Sequence, residues 1–92
     1  MNDDIINKII ELAQEFKVTK LIQYGSSIDS FELSNDVDFA CDGINDKNFF
    51  KFGRSLETLL NKPIDLIPIK PNSEFIDYIL RNGKIIYEST FN

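Results

Sequence analysis

The sequence predicts an α/β (α+β) domain: a small mixed β-sheet with helices packed on one face. Three observations carry this expectation. Apolar residues recur at helical spacing in two long stretches. Short β-branched or alternating runs lie between and after them, and end on glycine, proline or Asp-Gly. The chain has 92 residues, which predicts one domain, 1–92, with one modest core and no second domain to supply missing parts.

Each element has its own warrant. From Asp3 to Phe16, Ile5, Ile6, Ile9, Ile10, Leu12, Ala13 and Phe16 form a helical stripe with Asn2 or Asp3 as the cap. Val18 to Tyr24 is short and apolar at Leu21, Ile22 and Tyr24, and stops at Gly25, as a strand running into a turn would. Ser26 to Leu33 is expected to start as a helical turn at the serines. Asp36 to Cys41 alternates as a second strand and closes on Asp42-Gly43. A second long helix follows from Asp46 to Leu60, capped by Asn45 or Asp46, with Phe49, Phe50, Phe52, Leu56, Leu59 and Leu60 at helical spacing. Pro63 to Ile69 (PIDLIPI) is a third strand, and Pro68 inside it suggests a sheet edge. Ser73 to Arg81 reads as a helix closed by Asn82-Gly83, and Lys84 to Glu88 as the last strand.

Composition removes several functions. With 42% hydrophobic and 27% charged residues the chain is neither a disordered tail nor a membrane protein. The start, MNDDIINKII, carries acids where a secretion signal carries bases, so the chain is expected to be cytoplasmic. A lone cysteine, Cys41, cannot form an internal disulfide and is expected to be buried and inert. Without histidine, Cys/His zinc sites and Ser-His-Asp chemistry are excluded. The net charge of −5 opposes a polynucleotide as main ligand. The phosphate loop GxxxxGK[ST], GxGxxG and an EF-hand loop are all missing.

The acids are unevenly placed. Between Leu21 and Asp46 no Lys or Arg occurs, yet Asp29, Glu32, Asp36, Asp38, Asp42 and Asp46 do. Taken alone, such a run reads as a solvated face. Spacing adds to that reading. On a strand, Asp36 and Asp38 point to the same side, roughly 7 Å apart, while Val37 and Phe39 point into the core. Two carboxylates held that close repel unless a positive charge lies between them, and a divalent cation is the simplest candidate. Upstream, Gly25 and Ser26 sit where a strand turns into a helical segment, a place that offers backbone N–H groups and a hydroxyl to an anion. Asp65, flanked by Ile64 and Leu66, is either an edge-strand charge or a third member of the group. Three strand carboxylates and a phosphate-cradling turn describe a metal-dependent site for a nucleoside triphosphate.

These residues carry a family resemblance. Gly25-Ser26, nine intervening residues, Asp36-Val37-Asp38 and the distal Asp65 resemble the signature of the minimal nucleotidyltransferase (MNT) group of the DNA polymerase beta superfamily. The likeness runs over nearly the whole chain, including the ILRNGKIIYE ending. Where the family often has an arginine and a glycine after Gly-Ser, this chain has Ser27-Ile28-Asp29-Ser30. The resemblance implies a polymerase beta-like fold and a role as antitoxin to a HEPN-domain toxin, transferring AMP from ATP to a tyrosine of that toxin. By position, Asp36 and Asp38 would hold two Mg2+ ions. Asp65 would complete the catalytic metal site and help deprotonate the acceptor hydroxyl. Gly25, Ser26 and Ser27 would hold the triphosphate. Two other readings stand beside this one. A non-catalytic antitoxin would cover its toxin, with the FFKF segment, Phe31 or Tyr78 as anchors. A nucleotidyltransferase with a small-molecule or RNA-end acceptor has less support, since one small domain leaves little room for an acceptor pocket and the charge opposes RNA.

Overall fold

The computed structural model describes residues 1–71 and 73–89. Helix α1 spans Asp3–Glu15, and the Asn2 side chain caps it by accepting from the Ile5 N–H at 2.9 Å. The helix ends one residue before the expected Phe16. Lys17 turns left-handed at φ 61°, and the Val18 N–H bonds back to the Ala13 carbonyl. Val18 is therefore a buried residue of the helix-ending turn, and strand β1 begins only at Lys20, running to Tyr24.

A single turn of 3-10 helix, Ser26–Ile28, follows β1 and is shorter than the expected segment to Leu33. Strand β2 is Val37–Asp42, which leaves Asp36 at its threshold. Helix α2, Asp46–Leu60, has the expected limits. Asn45 caps it through the Asn48 N–H at 2.9 Å, and Asn61 closes it in the left-handed region. Strand β3 is Ile64–Pro68, helix α3 is Glu74–Asn82 with Ser73 as cap, and strand β4 is Lys84–Glu88.

The four strands form one mixed sheet in the order β3-β2-β1-β4. β1 runs antiparallel to both β2 and β4, and β2 pairs in parallel with β3. A parallel pair needs a crossover, and α2 supplies it. As Pro68 suggested, β3 is an edge.

Side-chain alternation splits the interior into two clusters. Leu21, Val37, Phe39 and Cys41 pack with Ile9 and Ala13 of α1 and with Phe52, Leu56 and Leu60 of α2. Ile22, Tyr24 and Ala40, on the opposite face, pack with Ile76 and Ile79 of α3. The two long helices thus share a face as expected, and α3 departs from that expectation by covering the other. The reason lies in the strands. Ile22 and Ala40 are apolar positions on the second face and need a cover of their own.

Candidate active site

The strand register assembles the acids. Asp38 is the Cα partner of Asp65 across the parallel β2–β3 pair and of Tyr24 across the antiparallel β1–β2 pair. Side chains of paired residues project to the same face, so Asp38, Asp65 and Tyr24 stand in a row across the sheet. Asp36 sits in the bend just before β2, near enough to Asp38 for its charge to act on that carboxyl. Tyr24, Asp38 and Asp65 occupy the α3 face, at the end of the sheet where β1 stops and β2 and β3 begin, and Asp36 lies at that same end. Asp36 and Asp65 are exposed, whereas Asp38 is half-buried.

Their charges are felt. Burial, then the charge of Asp36, then that of Asp65, push the Asp38 carboxyl above its usual range. The Tyr24 hydroxyl, desolvated and facing Asp38 and Asp65, is pushed up to about 12 and holds its proton at neutral pH.

The turn after β1 closes onto the same group. Gly25 has φ 81°, a left-handed conformation that side chains resist, and a Cβ on it would lie 2.6 Å from Oδ2 of Asp38. The Asp38 carboxylate therefore stands directly over the Gly25 backbone. Gly25 and Ser26 are exposed. Ser27 is not: it is 1% exposed, and its hydroxyl accepts from Gln23 Nε2 at 2.9 Å, both groups lying inside the protein. The Ser27 side chain thus fixes the 3-10 turn to β1 from within and faces away from the carboxylates. Serine by itself could not reveal this, because its buried partner lies four residues upstream on the strand.

Two further contacts hold the loop that carries Asp36. Lys62, between α2 and β3, donates from Nζ to the Ser34 carbonyl at 2.8 Å and lies 5.0 Å from the centre of the Phe31 ring. The Val37 N–H donates to the Pro63 carbonyl at 3.0 Å. Neither Lys62 nor Tyr24 was marked by the sequence as part of the site. The alternation of β1 and β2 about a turn was the available signal for Tyr24. For Lys62 there was none.

The donor chemistry fits a hard divalent cation: carboxylate oxygens only, with Asp38 made uncomfortable by its neighbours in a way that a positive charge would relieve. Among the described residues no three acidic or cysteine side chains already converge as a ligand set.

Residues 7–92 match the family model Polymerase beta, Nucleotidyltransferase. The chain belongs to that family. No curated protein sequence matches it. Among solved structures, this nucleotidyltransferase resembles a toxin–antitoxin crystal structure with AMP-PNP at TM-score 0.73 and 21% identity, over 92% of this chain and 74% of that one. It also resembles the toxin–antitoxin pair MntA–HepT at TM-score 0.70 and 18% identity, over 96% and 74% of the two chains. A third likeness is to a tri-AMPylated Shewanella oneidensis HEPN toxin in complex with MNT antitoxin, at TM-score 0.71 and 20% identity, over 97% and 74%. At such identities the likeness establishes a shared fold.

Proposed function

We propose that this nucleotidyltransferase transfers AMP from ATP, with Mg2+, to a tyrosine hydroxyl of a HEPN toxin and thereby acts as its antitoxin. The observation that carries the reading is the close approach of Gly25 to Asp38, which brings the exposed Gly25-Ser26 turn up against the paired strand carboxylates Asp38 and Asp65 at one sheet end. The family supplies the reaction class. The resemblance to a complex with AMP-PNP and to one with an AMPylated toxin favours ATP as donor and a toxin as acceptor.

In this reading Asp36 and Asp38 hold two Mg2+ ions and Asp65 completes the catalytic one. Bound there, the ions would stabilise the attacking and leaving oxygens of an in-line displacement. Gly25 and Ser26 bind the triphosphate, and Ser27 keeps their turn in place from inside. Asp65 accepts the proton of the acceptor hydroxyl as its oxygen bonds to the α-phosphorus and diphosphate departs. Tyr24, protonated, leaves the negative charge to the three aspartates.

The test is to incubate the chain with ATP, Mg2+ and a co-encoded HEPN toxin and weigh the toxin. One or more added AMP masses are expected, and none with Asp38→Asn. Neutralisation with no mass change would favour the covering reading. That reading has exposed rings behind it: Phe50 is 76% exposed, and Tyr78, one of its expected anchors, is 54% exposed. Of its expected anchors, Phe52 is buried in the core and Phe31 is half-buried beside Lys62, so of the FFKF segment Phe50 is the exposed ring.

A further inference from the structure

We propose that a cavity of about 340 Å3 between the end of β1 and the last turn of α3 is the nucleoside subsite of this enzyme, with Tyr78 stacking on the base, Asn82 reading adenine and Asp29 holding the ribose. The inference rests on the catalytic reading above and extends it to residues that the Gly-Ser and Asp-x-Asp pattern leaves out.

Position is the first argument. The cavity is lined by Tyr24, Gly25, Ile28, Asp29, Tyr78 and Asn82. Gly25 is thus shared between the phosphate turn and the cavity wall, so a nucleotide with its phosphates on the turn has this space next to it. The volume lies in the range that small ligands fill. Gly83 completes the lining, and a Cβ on it would meet Ile22 Cγ2 at 2.5 Å and the Ile79 carbonyl oxygen at 2.6 Å. The end of α3 and the start of β4 therefore press onto β1 as only glycine allows.

Chemistry is the second. Tyr78 is 54% exposed while Ile76 and Ile79 of the same helix are buried. Its ring pairs with no other ring among the described residues, unlike Tyr24 and Phe75, which meet edge to face at 5.7 Å. An aromatic face left open at the mouth of a cavity suits a heterocyclic base. Asn82 donates from Nδ2 to the Tyr78 carbonyl at 3.0 Å. That bond orients the amide and leaves its oxygen as acceptor. An acceptor there welcomes the exocyclic amine of adenine and opposes the carbonyl of guanine. The Asp29 carboxylate, an acceptor only when ionised, suits a pair of ribose hydroxyls.

The experiment titrates the full chain, in Mg2+, with ATP, GTP, tripolyphosphate and adenosine. ATP is expected to bind at least about 10-fold more tightly than tripolyphosphate and more tightly than GTP. Tyr78→Ala should lower ATP affinity about 10-fold with tripolyphosphate unchanged, and Tyr78→Phe should restore it. Asn82→Ala should narrow the gap between ATP and GTP. Wild-type protein that binds tripolyphosphate as tightly as ATP, or a Tyr78→Ala variant with undiminished ATP affinity, overturns the subsite and leaves the phosphate site standing. Adenosine binding that Tyr78→Ala removes, in a protein that ignores tripolyphosphate, supports the subsite and overturns the catalytic reading.

Discussion

The two faces of the sheet are made by the same strands and differ in what they are for. On one face Val37, Phe39 and Cys41 of β2 lie fully inside, under α1 and α2. The other face is apolar only halfway along, where Ala40 meets α3, and turns acidic toward the end that carries Asp38, Asp36 and Asp65. Neighbouring residues on β2 thus have opposite roles. Phe39 gains from losing water, whereas Asp38 is strained by losing part of it. A small domain has few places to store such strain, and the long helices over the first face are what offset it.

The largest effect should come from the first face. Phe39 is 0% exposed, and Phe39→Ala removes its contacts and leaves a cavity, a change that typically costs about 3–5 kcal/mol. Against a total of about 5–15 kcal/mol this should bring the chain close to unfolding, read as a collapse of the urea midpoint.

One position away, Asp38→Asn should do the reverse. AMP transfer should fall by about 100-fold or more, while the melting temperature at neutral pH rises. The sign follows from the raised carboxyl. Folded protein holds the Asp38 proton over an interval of pH in which the unfolded chain has released it, so this group's share of stability falls as pH rises through the carboxylate range. Asp38→Asn should flatten that slope in melts recorded across the interval. A variant less stable than wild type at neutral pH would mean that Asp38 belongs to the structural face after all. Asp65→Asn, on the exposed edge strand, should leave Mg-ATP affinity near normal and abolish transfer to the same degree; normal transfer would reduce Asp65 to an edge charge.

How much of this was legible follows from the same division. Elements with an apolar period were readable to within a residue or so, because burial on the first face enforces the pattern: α2 and β4 have the expected limits, and α1 misses only Phe16. Segments shaped by single contacts were not. The helical turn from Ser26 stops at Ile28, and Val18 falls outside β1 because of one left-handed residue. Asp36, Asp38 and Asp65 could be marked because carboxylates inside apolar runs are anomalous. Placing Asp38 opposite Asp65 needed the β2–β3 register, which no local pattern encodes. The same holds for the side of the sheet taken by α3, whose amphipathic period says that it has a buried face and not what the face meets.

Lys62→Met tests the join between the two regions, since it removes the donor to Ser34 and the charge over Phe31 while keeping the side chain's length. Stability should drop by about 1 kcal/mol or less. Transfer should fall by about 10-fold or less through misplacement of Asp36, with the tripolyphosphate affinity of Mg2+-loaded protein weakened in parallel. Unchanged transfer at unchanged stability would show that the loop holds its shape without the lysine.

The smallest effect is expected at the opposite end of β1 from the site, where Lys20 Nζ and Glu88 Oε2 are 2.9 Å apart across the β1–β4 pair. The two side chains are 31% and 49% exposed, so water and salt screen the attraction and ordering two long side chains offsets much of it. Lys20→Met should cost about 0.5 kcal/mol or less at low salt. For a domain of this size that is a fall in melting temperature of about 2–4 °C, and it should shrink further at high salt. ATP affinity and AMP transfer should not move, because the bridge belongs to the paired edge and touches none of the carboxylates. A severalfold change in transfer would mean that the register of β4 is transmitted along β1 to Tyr24 and Gly25. The acidic end of the sheet would then be a property of all four strands, and the separation between a stabilising region and a chemical one would fail at its quietest point.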